Sequence, residues 1–100
     1  MSDITDPVDV VEDSERVWMV ERTFSEDSPH ILVIVYATLD GGRYLQKERA
    51  ETRLSGGPEV TAAIDVDPAL LVPVGDDETR ERYAAEAERM RQRHDPDDAV

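Results

Sequence analysis

The chain has 100 residues, with 24 Asp and Glu against 11 Lys and Arg, a formal net charge of −13. It contains no cysteine, which excludes disulfides, thiolate metal sites and thiol nucleophiles. The acidic balance argues against anionic membranes and against non-specific attraction to nucleic-acid phosphates.

One hundred residues fit a single domain. Apolar residues make up 39% and aromatics 5%, so the core must come mostly from Val, Ile, Leu and Ala. Self-repulsion at this charge density opposes a compact fold in dilute buffer. In molar salt the Debye length falls to about 3 Å and most of that repulsion disappears. Lys47 is the one lysine and every other base is Arg, which holds carboxylates in a planar fork and is less heavily hydrated. Composition therefore predicts a high-salt cytoplasm. The longest apolar run, Ile31 to Ala37, falls short of the about 20 residues that cross a bilayer. No basic region followed by an apolar stretch opens the chain, so a soluble cytoplasmic protein without a secretory signal is expected.

In chain order, residues 1–15 carry six acids and no base and read as a disordered, solvating arm. A sharper reading has Val8, Val10 and Val11, spaced by Asp9, adding a strand to a partner's sheet edge. The single α+β domain is expected over 16–94, followed by an acidic tail at 95–100. Val17 to Phe24 is rich in β-formers and predicts a first strand. Ile31 to Ala37 is apolar at both parities, which marks a central strand covered on both faces. Asp40-Gly41-Gly42 suits a tight hairpin turn, so Arg43 to Leu54 should return antiparallel.

Ser55-Gly56-Gly57-Pro58 breaks that strand. Val60, Ala62, Ile64 and Val66 then alternate with Thr61, Ala63, Asp65 and Asp67, predicting a fourth strand. A short helix from Pro58 is the rival reading, because Val60, Ala63 and Ile64 also fit helical spacing. Asp67-Pro68 opens a turn or single helical turn through Leu70 and Leu71. Asp76 to Arg93 predicts a helix capped by Asp76 or Asp77, with Tyr83, Ala87, Met90 and His94 on one stripe. Glu78, Arg82 and Glu86 form an i,i+4 series, and Arg89, Arg91 and Arg93 suit the C-terminal end of the helix dipole.

The expected fold is thus an antiparallel, meander-like sheet of three or four strands with the C-terminal helix packed on one face. Its core should include Val20, Ile31, Val33, Val35, Leu45, Ile64, Tyr83, Ala87 and Met90, with Trp18, Phe24 and Tyr36 also claimed by packing. Homodimerisation through a sheet edge or the helix would add stability to so small a core.

The stretches Trp18 to Phe24, Tyr36 to Leu45, Lys47-Glu48-Arg49-Ala50 and the closing His94-Asp95-Pro96-Asp97-Asp98 resemble small uncharacterised acidic proteins of halophilic archaea. That resemblance spans residues 16–98. It implies habitat and carries over no functional residue.

No chemistry stands out elsewhere. His30 and His94 lack a second ligand at short spacing, so zinc and other metals are not expected. Asp65-Val66-Asp67 and Asp95-Pro96-Asp97-Asp98 lack the ligand series of an EF-hand. Ser25, Ser28 and Ser55 sit in no Gly-x-Ser-x-Gly elbow, and the glycine pairs lack the spacing of a phosphate loop. Neither a catalytic residue nor a cofactor is expected, and a small enzyme with an unrecognised site ranks third.

The third strand is more informative. Arg43, Lys47, Arg49 and Arg53 share one parity over about 33 Å at about 3.3 Å per residue, and Arg22 can join them from the first strand. This cationic ladder is the candidate interaction surface. It suits an acidic protein partner or, second, a nucleic acid. The plainer reading is pairing with Glu21, Glu48, Glu51 or the acidic arm. Phosphate contacts weaken steeply with salt, and few aromatics are left for base stacking, so nucleic acid ranks below protein docking.

Overall fold

The computed structural model describes residues 14–27, 30–50 and 60–100. Five strands form one antiparallel sheet: β1 at Glu15–Phe24, β2 at Ile31–Ala37, β3 at Arg43–Ala50, β4 at Ala63–Val66 and β5 at Val72–Pro73. Their spatial order is β4-β1-β2-β3-β5. One helix, α1 at Asp77–Arg93, packs chiefly on β1 and less on β2.

The first three strands meander as the turn chemistry predicts. The fourth does not continue outward from β3; it returns beside β1, with Ile64 opposite Val17 and Asp65 opposite Arg16. This places apolar against apolar and acid against base, whereas β3 offers Lys47 and Arg49. Of the two readings of residues 60–66, the strand is the one formed, over Ala63–Val66. Pro68–Leu70 makes a 3-10 turn, which Asp67 caps by accepting the Ala69 N–H at 2.9 Å. β5 was not anticipated. It is two residues long, and its proline cannot donate to a ladder. Residues 51–54, expected to extend β3, lie outside the described residues, as does the arm up to residue 13.

α1 follows its sequence signals. Asp76 accepts the Thr79 N–H at 2.9 Å, Asp77 and Glu78 occupy the first turn, and Arg91 and Arg93 the last. The Glu78-Arg82-Glu86 series is not what forms. Glu86 holds Arg89 at 2.9 Å, while Arg82 lies over the Tyr83 ring and within 3.9 Å of Glu21.

The residues expected as an acidic tail are stitched to the sheet. Ala62 donates to the Asp98 carbonyl, Ala63 to that of Pro96, and Val100 to that of Val60, each at 2.9 Å. Residues 96–100 thereby cover the outer margin of 60–63.

Both sheet faces are buried. On the helix face, Trp18, Ala62, Ala63 and Ala87 form one cluster, and Val35, Ala37, Val74 and Tyr83 another. Tyr44 adds an edge-on contact with Tyr83, ring centres 6.1 Å apart. On the far face, Val17, Met19, Leu32, Ile34 and Tyr36 cluster beneath Val60, Leu71 and Val100. Of the expected core, Val35, Tyr83 and Ala87 are buried; Val20, Ile31, Val33, Leu45, Ile64 and Met90 are only half-buried. Phe24 corrects the expectation outright: at the end of β1, on the face opposite α1 and across from Leu32, it is 53% exposed.

The β2–β3 turn fixes the helix to the sheet. Asp40 accepts the Thr38 hydroxyl at 2.6 Å and the Gly42 N–H at 2.8 Å, and these bonds hold its carboxyl below the usual carboxylate range. Gly41 has φ +72°, and a Cβ there would meet Arg80 O of α1 at 2.1 Å and Ala84 N at 2.7 Å. Gly41→Ala should therefore cost about 3 kcal/mol or more in denaturant melts, while Gly75→Ala, with nothing within 4 Å, should stay within about 0.5 kcal/mol. A carboxyl titrating lower when folded stabilises the fold above its unfolded pKa, and that contribution is lost as pH falls through the folded value. Melts of Asp40→Asn should accordingly show a shallower loss of stability below about pH 4 than the parent chain.

Candidate interaction surface

The parity of β3 divides its side chains. Tyr44, Gln46 and Glu48 belong to the helix face, opposite Ala37, Val35 and Val33 of β2. Leu45, Lys47 and Arg49 belong to the far face, opposite Tyr36, Ile34 and Leu32. The ladder expected from sequence is thus one-sided.

Arg22 reaches the same face through an irregularity. In β1, Met19 pairs with Tyr36, yet Glu21 pairs with Val35, so Val20 is an extra residue, a β-bulge. Trp18 and Val20 pack on the helix side. Unbroken alternation would send Arg22 there as well. The bulge reverses the parity, and Arg22 sits across Ile34 from Lys47.

The expected residues then part company. Arg43 pairs with Glu15 at the far end of the sheet and so belongs to a local ion pair. The Arg22 guanidinium donates to the Val100 backbone oxygen at 2.7 Å, tying β1 to the C-terminal segment. Lys47 and Arg49 form no ion pair with another described residue. Arg53 lies outside the described residues.

Tyr36 lies among these cations and was not singled out by the sequence as part of the surface. Its ring is buried and its hydroxyl donates to the Thr61 carbonyl at 3.3 Å. Burial pushes its phenol above the ordinary value, while Arg22 and Arg49 pull the other way. Ile34, Tyr36, Lys47, Arg49, Val60 and Ile64 are among the residues lining a cavity of about 340 Å³ on this face. No local pattern marked the bulge, because Val17-Trp18-Met19-Val20 is apolar at both parities as in any strand covered on two faces.

Three of the five acids considered as cation ligands have structural partners. Asp65 grips Arg16 through two bonds of 2.8 and 3.1 Å, which lowers its titration; Asp67 caps the 3-10 turn; and Asp98 accepts the Asp95 N–H at 2.8 Å. Among the described residues, no group of three or more His, Asp or Glu could hold a metal ion. No helix among them is long and apolar enough to cross a membrane.

The described residues define a one-helix, five-stranded α+β sheet with a basic cluster on the side opposite the helix. The chain belongs to the family of unknown function DUF7967, which matches residues 11–100. No curated protein and no solved structure matches it.

The surroundings of Tyr36 can be checked by NMR titration of isotope-labelled tyrosine rings. Arg22→Gln and Arg49→Gln should each move the Tyr36 midpoint to higher pH, because each removes a charge that favours the phenolate. Lys47→Gln should move it less.

Proposed function

We propose that the chain is a non-enzymatic interaction module that docks an acidic polypeptide on the far face of its sheet, in a cell interior rich in salt. The convergence of Arg22, Lys47 and Arg49 around Tyr36, on the face opposite α1, carries this reading. In a chain of net charge −13 such a cluster runs against the general trend. At low ionic strength an acidic partner would meet attraction at this place and repulsion elsewhere; in concentrated salt only its close contacts with these cations would remain. The surplus of acid supports the high-salt setting, since screening removes the self-repulsion.

Nucleic acid fits less well. Of the five aromatic residues only Phe24 is exposed; Trp18, Tyr36 and Tyr83 are buried and Tyr44 is half-buried against Tyr83. A sequence-tolerant reader needs aromatic rings open to bases, above all where salt weakens phosphate contacts.

Exposed ion pairs contribute about 0–1 kcal/mol each, so the cations alone give weak docking. Lys47→Glu combined with Arg49→Glu should lower capture of an immobilised alternating Glu–Thr octapeptide about tenfold or more, measured by surface plasmon resonance across a KCl series. Undiminished capture by the double variant, or stronger capture of a single-stranded oligonucleotide than of the peptide, would overturn the acidic-partner reading.

A further inference from the structure

Both edges of the sheet are covered only in part by described residues, and the longer open stretch is on β3. On the β4 side, residues 96–100 cover 60–63. On the β3 side, β5 covers only Arg43 and Tyr44. Thr38 and Arg43 form a hydrogen-bonded pair of the β2–β3 ladder, with Thr38 N–H on Arg43 O at 3.0 Å. In an antiparallel ladder such pairs alternate, so the backbones of Leu45, Lys47 and Arg49 bond to β2. The N–H and C=O groups of Tyr44, Gln46 and Glu48 therefore point away from β2. Tyr44 meets Val72 of β5. Those of Gln46 and Glu48 have no partner strand among the described residues.

We infer that β3 accepts an extended acidic strand along Leu45–Arg49, pairing its backbone with Gln46 and Glu48. The inference rests on the acidic-partner reading above and specifies how the partner binds. The length available is about 16 Å at about 3.3 Å per residue, with β5 as a stop at the Tyr44 end. Side chains of the incoming strand alternate between faces. Those on the far face would flank Lys47 and Arg49; those on the helix face would flank Gln46 and Glu48. The matching sequence thus carries acid at every second residue and a neutral side chain between, because a uniformly acidic strand would set carboxylates beside Glu48.

The same charges disfavour antiparallel pairing of a second copy of the chain at this margin. Two β3 strands paired antiparallel through Gln46 and Glu48 set Lys47 opposite Lys47, Lys47 opposite Arg49, or Lys47 opposite Leu45 with Arg49 opposite Arg43. Each register but the last places like charges directly across from Lys47, and the last does so for Arg49. Lys47 and Glu48 likewise make the margin unattractive to neutral apolar strands.

The test is amide hydrogen exchange by NMR on the full chain, with and without the alternating Glu–Thr octapeptide. The Gln46 and Glu48 amides should exchange rapidly in the free chain and slow about tenfold or more when peptide is bound. Methylating alternate peptide nitrogens on the pairing edge should weaken binding by about tenfold or more, and a uniform Glu octapeptide should bind less well than Glu–Thr. Binding that leaves both amides fast and tolerates methylation would overturn strand addition while leaving acidic docking intact. Absence of binding would overturn both readings. Slow exchange at both amides in the free chain would show the margin already taken and overturn the inference.

Discussion

Between Met19 and Glu21 the first strand carries one residue more than its neighbour, and the character of the sheet's two faces depends on it. Up to that point β1 gives Trp18 to the helix and Met19 to the far side. After it the order is reversed, and Arg22 emerges across Ile34 from Lys47. Before the interruption Val17, Trp18 and Met19 are buried in succession by the ordinary alternation of a strand covered on both faces. It also gathers on one surface charges that come from strands separated by β2.

The second constraint is the distance between helix and sheet. α1 carries Tyr83 and Ala87 into the core and little else that is fully buried. So narrow a stripe packs only if the backbone comes close, and Gly41 allows this by resting against the carbonyl of Arg80 and the amide of Ala84. The far side has no helix. Val60, Leu71 and Val100 take that role, which leaves the cation-bearing length of β3 without a covering element among the described residues. The candidate surface is thus a consequence of how few elements this chain has to cover two apolar faces.

Local chemistry was legible in the sequence wherever the signal is short-ranged. β2 falls where its unbroken apolar run lies, the Asp40-Gly41-Gly42 turn forms the hairpin, and Asp67 and Asp76 cap the turns that follow them. Long-range choices were not. That β4 lies beside β1 depends on pairing across more than forty residues, which no local pattern encodes. β5 is too short to show a period. The apolar run of β2 is covered on both faces as its two parities predict, but which of its residues go deepest was not legible: Leu32, Ile34 and Tyr36 are buried as fully as Val35, while Ile31 and Val33 are half-buried. The basic ladder was readable as a parity on β3. Its division into a pair with Glu15, a clasp on Val100 and a remaining Lys47–Arg49 couple required the folded geometry.

The C-terminal segment along 60–63 gives the sheet an asymmetry with a consequence for assembly. A ribbon exposed on both sides can hand growth from one molecule to the next, as fibrils do. Here the chain itself lines one flank along 60–63, and the other is charged and short. A strand added to β3 would therefore find no matching open stretch at 60–63 through which this chain could pass the pairing on to another copy.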